Sequence, residues 1–203
     1  MWTMSTSDPD DLAPRAYHHG NLRAALVAAG LELLEQGGQA DFSLREAARA
    51  VGVTVNATYR HFRNKDALLA AIAAEGFRRF TAALVDGSAG GSTPVARMLG
   101  AGRAYVDFAR HHPALFRLMF GRFGITGHGE ELLTAAFAAN NVLRQGVADM
   151  LGKTTDAGEV PLAVLKAWSL VHGLSHLVID GQIDAQSPGF DPLVTAVLSS
   201  YNP

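Results

Sequence analysis

An all-helical protein of two units is predicted by three features of the sequence. Apolar residues recur at helical spacing almost throughout, no stretch keeps a strand-like alternation, and Gly- and Pro-rich joints cut the periodic segments into helices of ordinary length. The chain of 203 residues is 48% hydrophobic and 18% charged, which is enough apolar material for a core and too much for wholesale disorder. It contains no cysteine, so a disulfide framework, a thiol nucleophile and any cysteine-containing zinc site are excluded. That fits a reducing compartment. The first 14 residues, MWTMSTSDPDDLAP, are polar and acidic with no basic and apolar run of a signal peptide, and are expected to be a disordered leader. Val164 to Ile179, the most apolar stretch, is interrupted by Lys166, His172 and His176 and is expected to be too short for a bilayer, so a soluble, cytoplasmic protein is expected.

Leu22, Leu26, Ala29, Leu33 and Leu34 set the stripe of a first helix that Gly37 and Gly38 stop. Ser43 opens a second with a capping box, Glu46 standing three residues on, and Leu44, Ala47, Ala48 and Val51 share one face. Gly52 ends it after two turns. Thr54 caps a short third helix, and Asn64 a long fourth with Asp66 in its first turn. The break DGSAGGSTP, residues 86 to 94, is expected to end the fourth helix. Beyond it, joints at His112-Pro113, 121 to 129, 154 to 161 and 186 to 192 leave about five helices, the last opened by Asp191 and Pro192. The predicted organisation is a leader (1 to 14), a head (15 to 64) and a bundle (65 to 203) joined by a connecting helix (65 to 86).

Two short helices meeting at a glycine, with a small buried Ala48 four residues before Gly52, form a helix-turn-helix. A larger residue at 48 would wedge the helices apart, and a Cβ at 52 would strain a left-handed backbone. Such a unit lays its second helix in the major groove of duplex DNA while neighbouring residues clamp phosphates. Directly after it come Arg60, His61, Arg63 and Lys65 with no carboxylate among them, in a chain of formal net charge -2. A basic run alone is an ordinary solvated helix end, and Arg63 is read as such. Its position after the helix-turn-helix supplies a reason for local positive charge, because the polyanion lies only there.

Residues 17 to 69 resemble the DNA-binding domain of the TetR family of transcriptional regulators, through Gly52-Val53, Thr54, Tyr59-Arg60-His61-Phe62, Lys65 and Leu68. The resemblance implies phosphate contacts by Tyr59, His61 and Lys65, joined by Ser43 and Thr54 at the helix starts. It implies base reading by Val55, Asn56 and Ala57 with Arg45. These readers are mostly small or apolar, so DNA shape is expected to matter. Phe62 is expected in the core, and His18 and His19 in an arm near DNA.

The second half is expected to dimerise and to bind an effector. From Val160 to Asp180 one face carries Leu162, Leu165, Ser169, Gly173 and His176, and another carries Val164, Trp168, Val171 and Val178. A helix apolar on two sides needs two covers, and a second copy of the chain is the simplest outer one, with Val194, Val197 and Leu198 of the last helix completing a bundle. Two recognition helices spaced by one DNA turn would then read a palindromic operator. Trp168, His172 and Gly173 also resemble the Trp-His-Gly (WHG) subgroup of the family. Tyr105, Phe108, Phe116, Met119, Phe120, Phe123, Asn141, Trp168 and His172 are the candidate lining of a pocket for a small, mostly apolar effector, with packed core the competing reading. The resulting expectation is a homodimeric repressor released by its effector, with no cofactor and no metal.

The alternative is a small metal-dependent or hydrolytic enzyme using His172, His176 and Asp180, which share a face at i, i+4 and i+8. No HExxH motif is present, and three groups on one straight helix cannot close a tetrahedron. Ser175 lacks a nucleophile elbow, and the Gly152-Lys153-Thr154 run lacks the first glycine of a phosphate loop, Val147 standing in its place. Gly152 is therefore read as a helix C-cap.

Overall fold

A computed structural model describes residues 21–37, 42–121 and 129–203. The leader, His18, His19, Gly38 and Phe123 lie outside the described residues. Among the described residues the chain forms helices and no strand: α1 (Leu22–Gly37), α2 (Leu44–Val51), α3 (Val55–Tyr59), α4 (Lys65–Ala89), α5 (Pro94–His111), α6 (Pro113–Phe120), α7 (Glu130–Leu151), α8 (Val160–Ile179) and α9 (Phe190–Ser199). One apolar core runs without interruption from Leu26 and Leu34 of α1, through Leu68, Ile72 and Phe80 of α4, to Phe116, Val171 and Leu198. A smaller cluster between α7 and α8 holds Val147, Ala148, Val160, Ala163, Val164 and Ala167. The long α4 therefore belongs to both units and ties them through shared packing.

The predicted caps form. Ser43 Oγ accepts from the Glu46 amide at 3.2 Å and donates to the Glu46 carboxylate at 2.8 Å. Thr54 Oγ1 accepts from the Ala57 amide at 3.3 Å, and Asn64 Oδ1 from the Ala67 amide at 2.9 Å. Gly52 closes α2 at φ 75°, and Val53 N–H donates to Ala48 O at 2.9 Å. Gly152 closes α7 in the same left-handed region, at φ 64°.

Packing moves four sequence expectations. The buried line of α1 is Leu26, Val27, Gly30, Leu31 and Leu34, while Leu22, Ala29 and Leu33 are half-buried. Gly30 decides this, because a Cβ there would stand 2.7 Å from Ile72 Cδ1, so α1 presses on α4 along that line. Second, α4 continues to Ala89 instead of stopping at 86. Gly87 meets Gly100 of α5 so closely that a Cβ on Gly100 would lie 2.1 Å from Gly87 O, and this helix contact holds the glycine in helical form. Third, α9 begins at Phe190 with no side-chain cap, so Asp191 sits in its first turn and does not cap it. Fourth, α8 has 20 residues and is long and apolar enough to cross a membrane by length and composition, which corrects the expectation that this stretch is too short. Its Ala163, Val164, Ala167, Val171, Leu174 and Val178 are buried among the other helices, as in a core helix.

The two faces read from the α8 sequence separate in space. Val164, Val171 and Val178 point inward, while Leu162 and Leu165 are 60% and 55% exposed and Ser169 and Gly173 are exposed. His176 is half-buried. The α9 residues differ from their predicted outward role. Val194 and Leu198 are buried within the chain, Leu198 lying against Gly102 of α5, and Val197 is half-buried. The missing side chain at Gly102 lets α9 turn that face inward.

Candidate functional site

Ser43, Leu44, Arg45, Val55, Tyr59, Arg63, Asn64 and Lys65 line one open groove. It gathers residues from the starts of α2, α3 and α4 and from the turn after α3, and the dipoles of the helix N-termini there favour negative charge. Tyr59 is 53% exposed, and Arg45, Arg63 and Asn64 are exposed. The anchor beneath is Phe62, 2% exposed, with the Arg23 guanidinium 5.3 Å from its ring centroid. Thr58 is wholly buried and donates its hydroxyl proton to Val55 O at 2.6 Å, which fixes the inner side of α3. Lys65 Nζ lies 5.9 Å over the Phe42 ring at the groove edge.

Most of the predicted DNA-facing residues are brought together here. Asn56, Thr54 and His61 are exposed but do not line the groove, and Val55 and Ala57 are half-buried. The Ser43 hydroxyl already donates to Glu46, so a phosphate must compete with that carboxylate for its proton. Arg63, read from sequence as plain solvated surface, is a wall residue. Its periodicity carried no signal; only the turn after α3 swings it back toward α2.

In the larger unit Tyr105, Phe108, Phe116, Phe120, Trp168 and His172 come together with Phe80, which sequence reasoning missed. Ring centroids lie 4.7 Å apart for Phe116 and Phe120, 5.0 Å for Phe120 and His172, and 4.8 Å for Phe80 and Tyr105. Phe116 is fully buried and Met119 is 1% exposed. The rings pack on one another, so in this structure the candidate lining is closed core. Asn141 stands exposed on α7, outside this cluster of buried rings. A small apolar cleft of about 60 Å³ lies instead between α5, α7, α8 and α9, bordered by Met98, Gly102, Met150, Leu170, Leu198 and Tyr201. That volume is below what a benzene-sized guest occupies.

Polar order inside the aromatic cluster is specific. Tyr105 Oη lies 2.9 Å from His172 Nδ1 and accepts from Trp168 Nε1 at 3.3 Å. Burial pushes the Tyr105 hydroxyl well above its ordinary range, so it stays protonated beside Nδ1. His172 is held below its usual pKa, first by burial and then by His176, which favours the neutral ring. Asp180 accepts from Arg117 at 2.6 Å, which with His176 keeps its carboxyl below the usual range, and His176 Nδ1 stands 3.8 Å from Asp180. Among the described residues no three His, Asp or Glu side chains are placed to hold a metal ion. Ser175 is buried and donates to Val171 O at 2.8 Å.

Residues 26–72 match the model of bacterial regulatory proteins of the tetR family, and residues 98–201 match that of the tetracyclin repressor-like C-terminal domain. The chain belongs to the TetR family. This TetR-family protein is a DNA-binding transcriptional regulator and not an enzyme, so the His172, His176 and Asp180 face is not a catalytic centre. A protein with unknown function from Rhodococcus sp. RHA1 is 34% identical, with 92% of this chain and 96% of that chain covered and a TM-score of 0.78. A TetR family transcription regulator from Marinobacter aquaeolei VT8 shares the fold at 17% identity, with 88% and 92% covered and a TM-score of 0.64. The transcriptional regulator FadR from Bacillus subtilis, solved in complex with stearoyl-CoA, shares it at 15% identity, with 89% and 99% covered and a TM-score of 0.63. A search of curated proteins found no match.

Proposed function

We propose that this TetR-family regulator is a cytoplasmic, homodimeric repressor that binds a palindromic operator and is released by a small, mostly apolar effector. The observation that carries the reading is the groove shared by α2, α3 and α4, where Arg45, Tyr59, Arg63 and Lys65 converge without a carboxylate among the lining residues. Tyr59, His61, Thr54 and Lys65 hold phosphates, and Arg45 and Asn56 read base edges. Val55 and Ala57 offer apolar contact to thymine methyls, which leaves much of the selection to DNA shape.

The row of Leu162, Leu165, Ser169, Gly173 and His176 on α8 is the proposed dimer face, extended by the exposed Leu177 and by the half-buried Val197 of α9, and now without the buried Val194 and Leu198. Leu193 of α9 is 43% exposed and is a better candidate from that helix. The effector enters the cluster around His172 by displacing rings, Phe120 among them because it is half-buried where Phe80, Tyr105 and Phe116 are closed. The place of Trp168, His172 and Gly173 in the Trp-His-Gly subgroup is part of this proposal, and the stearoyl-CoA held by FadR supports a response to a ligand with a long apolar part.

Selection of duplex DNA from a random pool, followed by titration of the winner at two salt concentrations, tests the reading. A two-fold symmetric winner bound with steep salt dependence supports it. Weak, sequence-independent binding overturns it.

A further inference from the structure

The head continues into the rest of the chain through α4, yet α1 is also held to the larger unit at both of its ends. In its first turn Arg23 pairs with Glu131 in the first turn of α7, and Arg78 of α4 reaches the same carboxylate at 3.3 Å. The same guanidinium lies over Phe62, the residue that seats the end of the recognition unit. Arg23 thus touches both bodies at once.

In the last turn of α1, Glu35 Oε1 lies 3.4 Å from His112 Nδ1 at the joint of α5 and α6. The Ala114 and Leu115 N–H groups, in the first turn of α6, face the same carboxylate. No side chain of its own caps α6, and Glu35 stands over that open end with Oε1 buried and making no hydrogen bond. Behind His112 the rings are continuous: Phe108 is 4.9 Å away, Phe80 is 5.1 Å from Phe108, and Tyr105 is 4.8 Å from Phe80. Tyr105 carries the bond to His172.

We propose that Arg23 and Glu35 are positioning residues that fix the orientation of α1–α3 on α4–α9, with the Glu35 contact to α6 passing any rearrangement of the aromatic cluster to the head. Its use in regulation rests on the DNA-reading proposal, but the orientation is a property of the free protein. The Arg23 pair is partly solvated, both side chains being more than 40% exposed, and such pairs add little to stability. Its role is therefore separable from folding.

The absence of cysteine allows clean spin labelling. Arg60→Cys after α3 and Ala138→Cys on α7 place two labels at exposed sites on the two units. Labelled chain is diluted with unlabelled chain, and the distance distribution is measured by dipolar spectroscopy without DNA. Parallel thermal melts are followed by helical circular dichroism. Arg23→Gln and Glu35→Gln should each shift or widen the distribution, and the double variant should widen it further, while the melting temperature stays near the parent's. A double variant whose distribution superimposes on the parent's overturns the proposal, whether or not its stability falls. Failure of the DNA selection would leave this measurement unaffected.

Discussion

The Tyr105 hydroxyl and His172 Nδ1 share a hydrogen bond of 2.9 Å, which joins α5 to α8 in the middle of an aromatic cluster. The imidazole at one end of this bond is half-buried, and that burial disfavours its charged form.

The first prediction is a pH dependence of stability. The His172 pKa is lowered from 6.5, so its contribution is fully present above pH 6.5 and is lost as pH falls through the folded-state value. Glu35 acts oppositely, because burial raises its pKa from 4.5 and its contribution is lost as pH rises through the folded value. Melts of the parent and His172→Gln between about pH 7.5 and about pH 5.5 separate the two. The parent should lose more stability on acidification than the variant. Equal losses would remove the neutral-imidazole account.

Glycine at 100 and glycine at 52 should fail in different ways. At Gly100 an added Cβ meets backbone oxygen of Gly87 at 2.1 Å, so Gly100→Ala must part α4 from α5. A cost of about 1–3 kcal/mol or more is expected from urea unfolding. At Gly52 there is open space but φ is +75°, so Gly52→Ala should cost only the backbone strain of about 1–2 kcal/mol.

Lys65→Ala should weaken binding to operator and to unrelated duplex alike, flattening the slope of log affinity against log salt by about one unit. Fluorescence anisotropy on both duplexes at several salt concentrations is the check. A loss confined to the operator would assign Lys65 to base reading.

Leu165→Asp places a charge on the exposed row of α8, where the side chain touches little of its own chain. Sedimentation should show loss of the dimer by at least about tenfold in affinity with helical content retained. A dimer of parental affinity would move the interface elsewhere.

Much was legible in the sequence because it depends on neighbours in the chain. Ser43, Thr54 and Asn64 cap the helices they were expected to cap, since a cap needs only an oxygen and an amide two or three residues on. Gly52 has the left-handed backbone that its place between two short helices required. The two faces of α8 followed from its periodicity.

What tertiary packing decided has no local trace. Gly87 stays helical because Gly100, 13 residues on, has no side chain to push it away, and Gly102 turns Leu198 inward for the same reason. Whether the aromatic residues surround a space or fill it depends on how α4, α5, α6 and α8 meet, and a list of apolar residues is the same in both cases. Nothing in its neighbours along the chain marks Glu35, and only the packing of α1 on the α5–α6 joint sets its carboxylate 3.4 Å from His112. Short-range hydrogen bonding and periodicity are written along the chain, whereas close approach between distant segments is settled only when the whole core is packed.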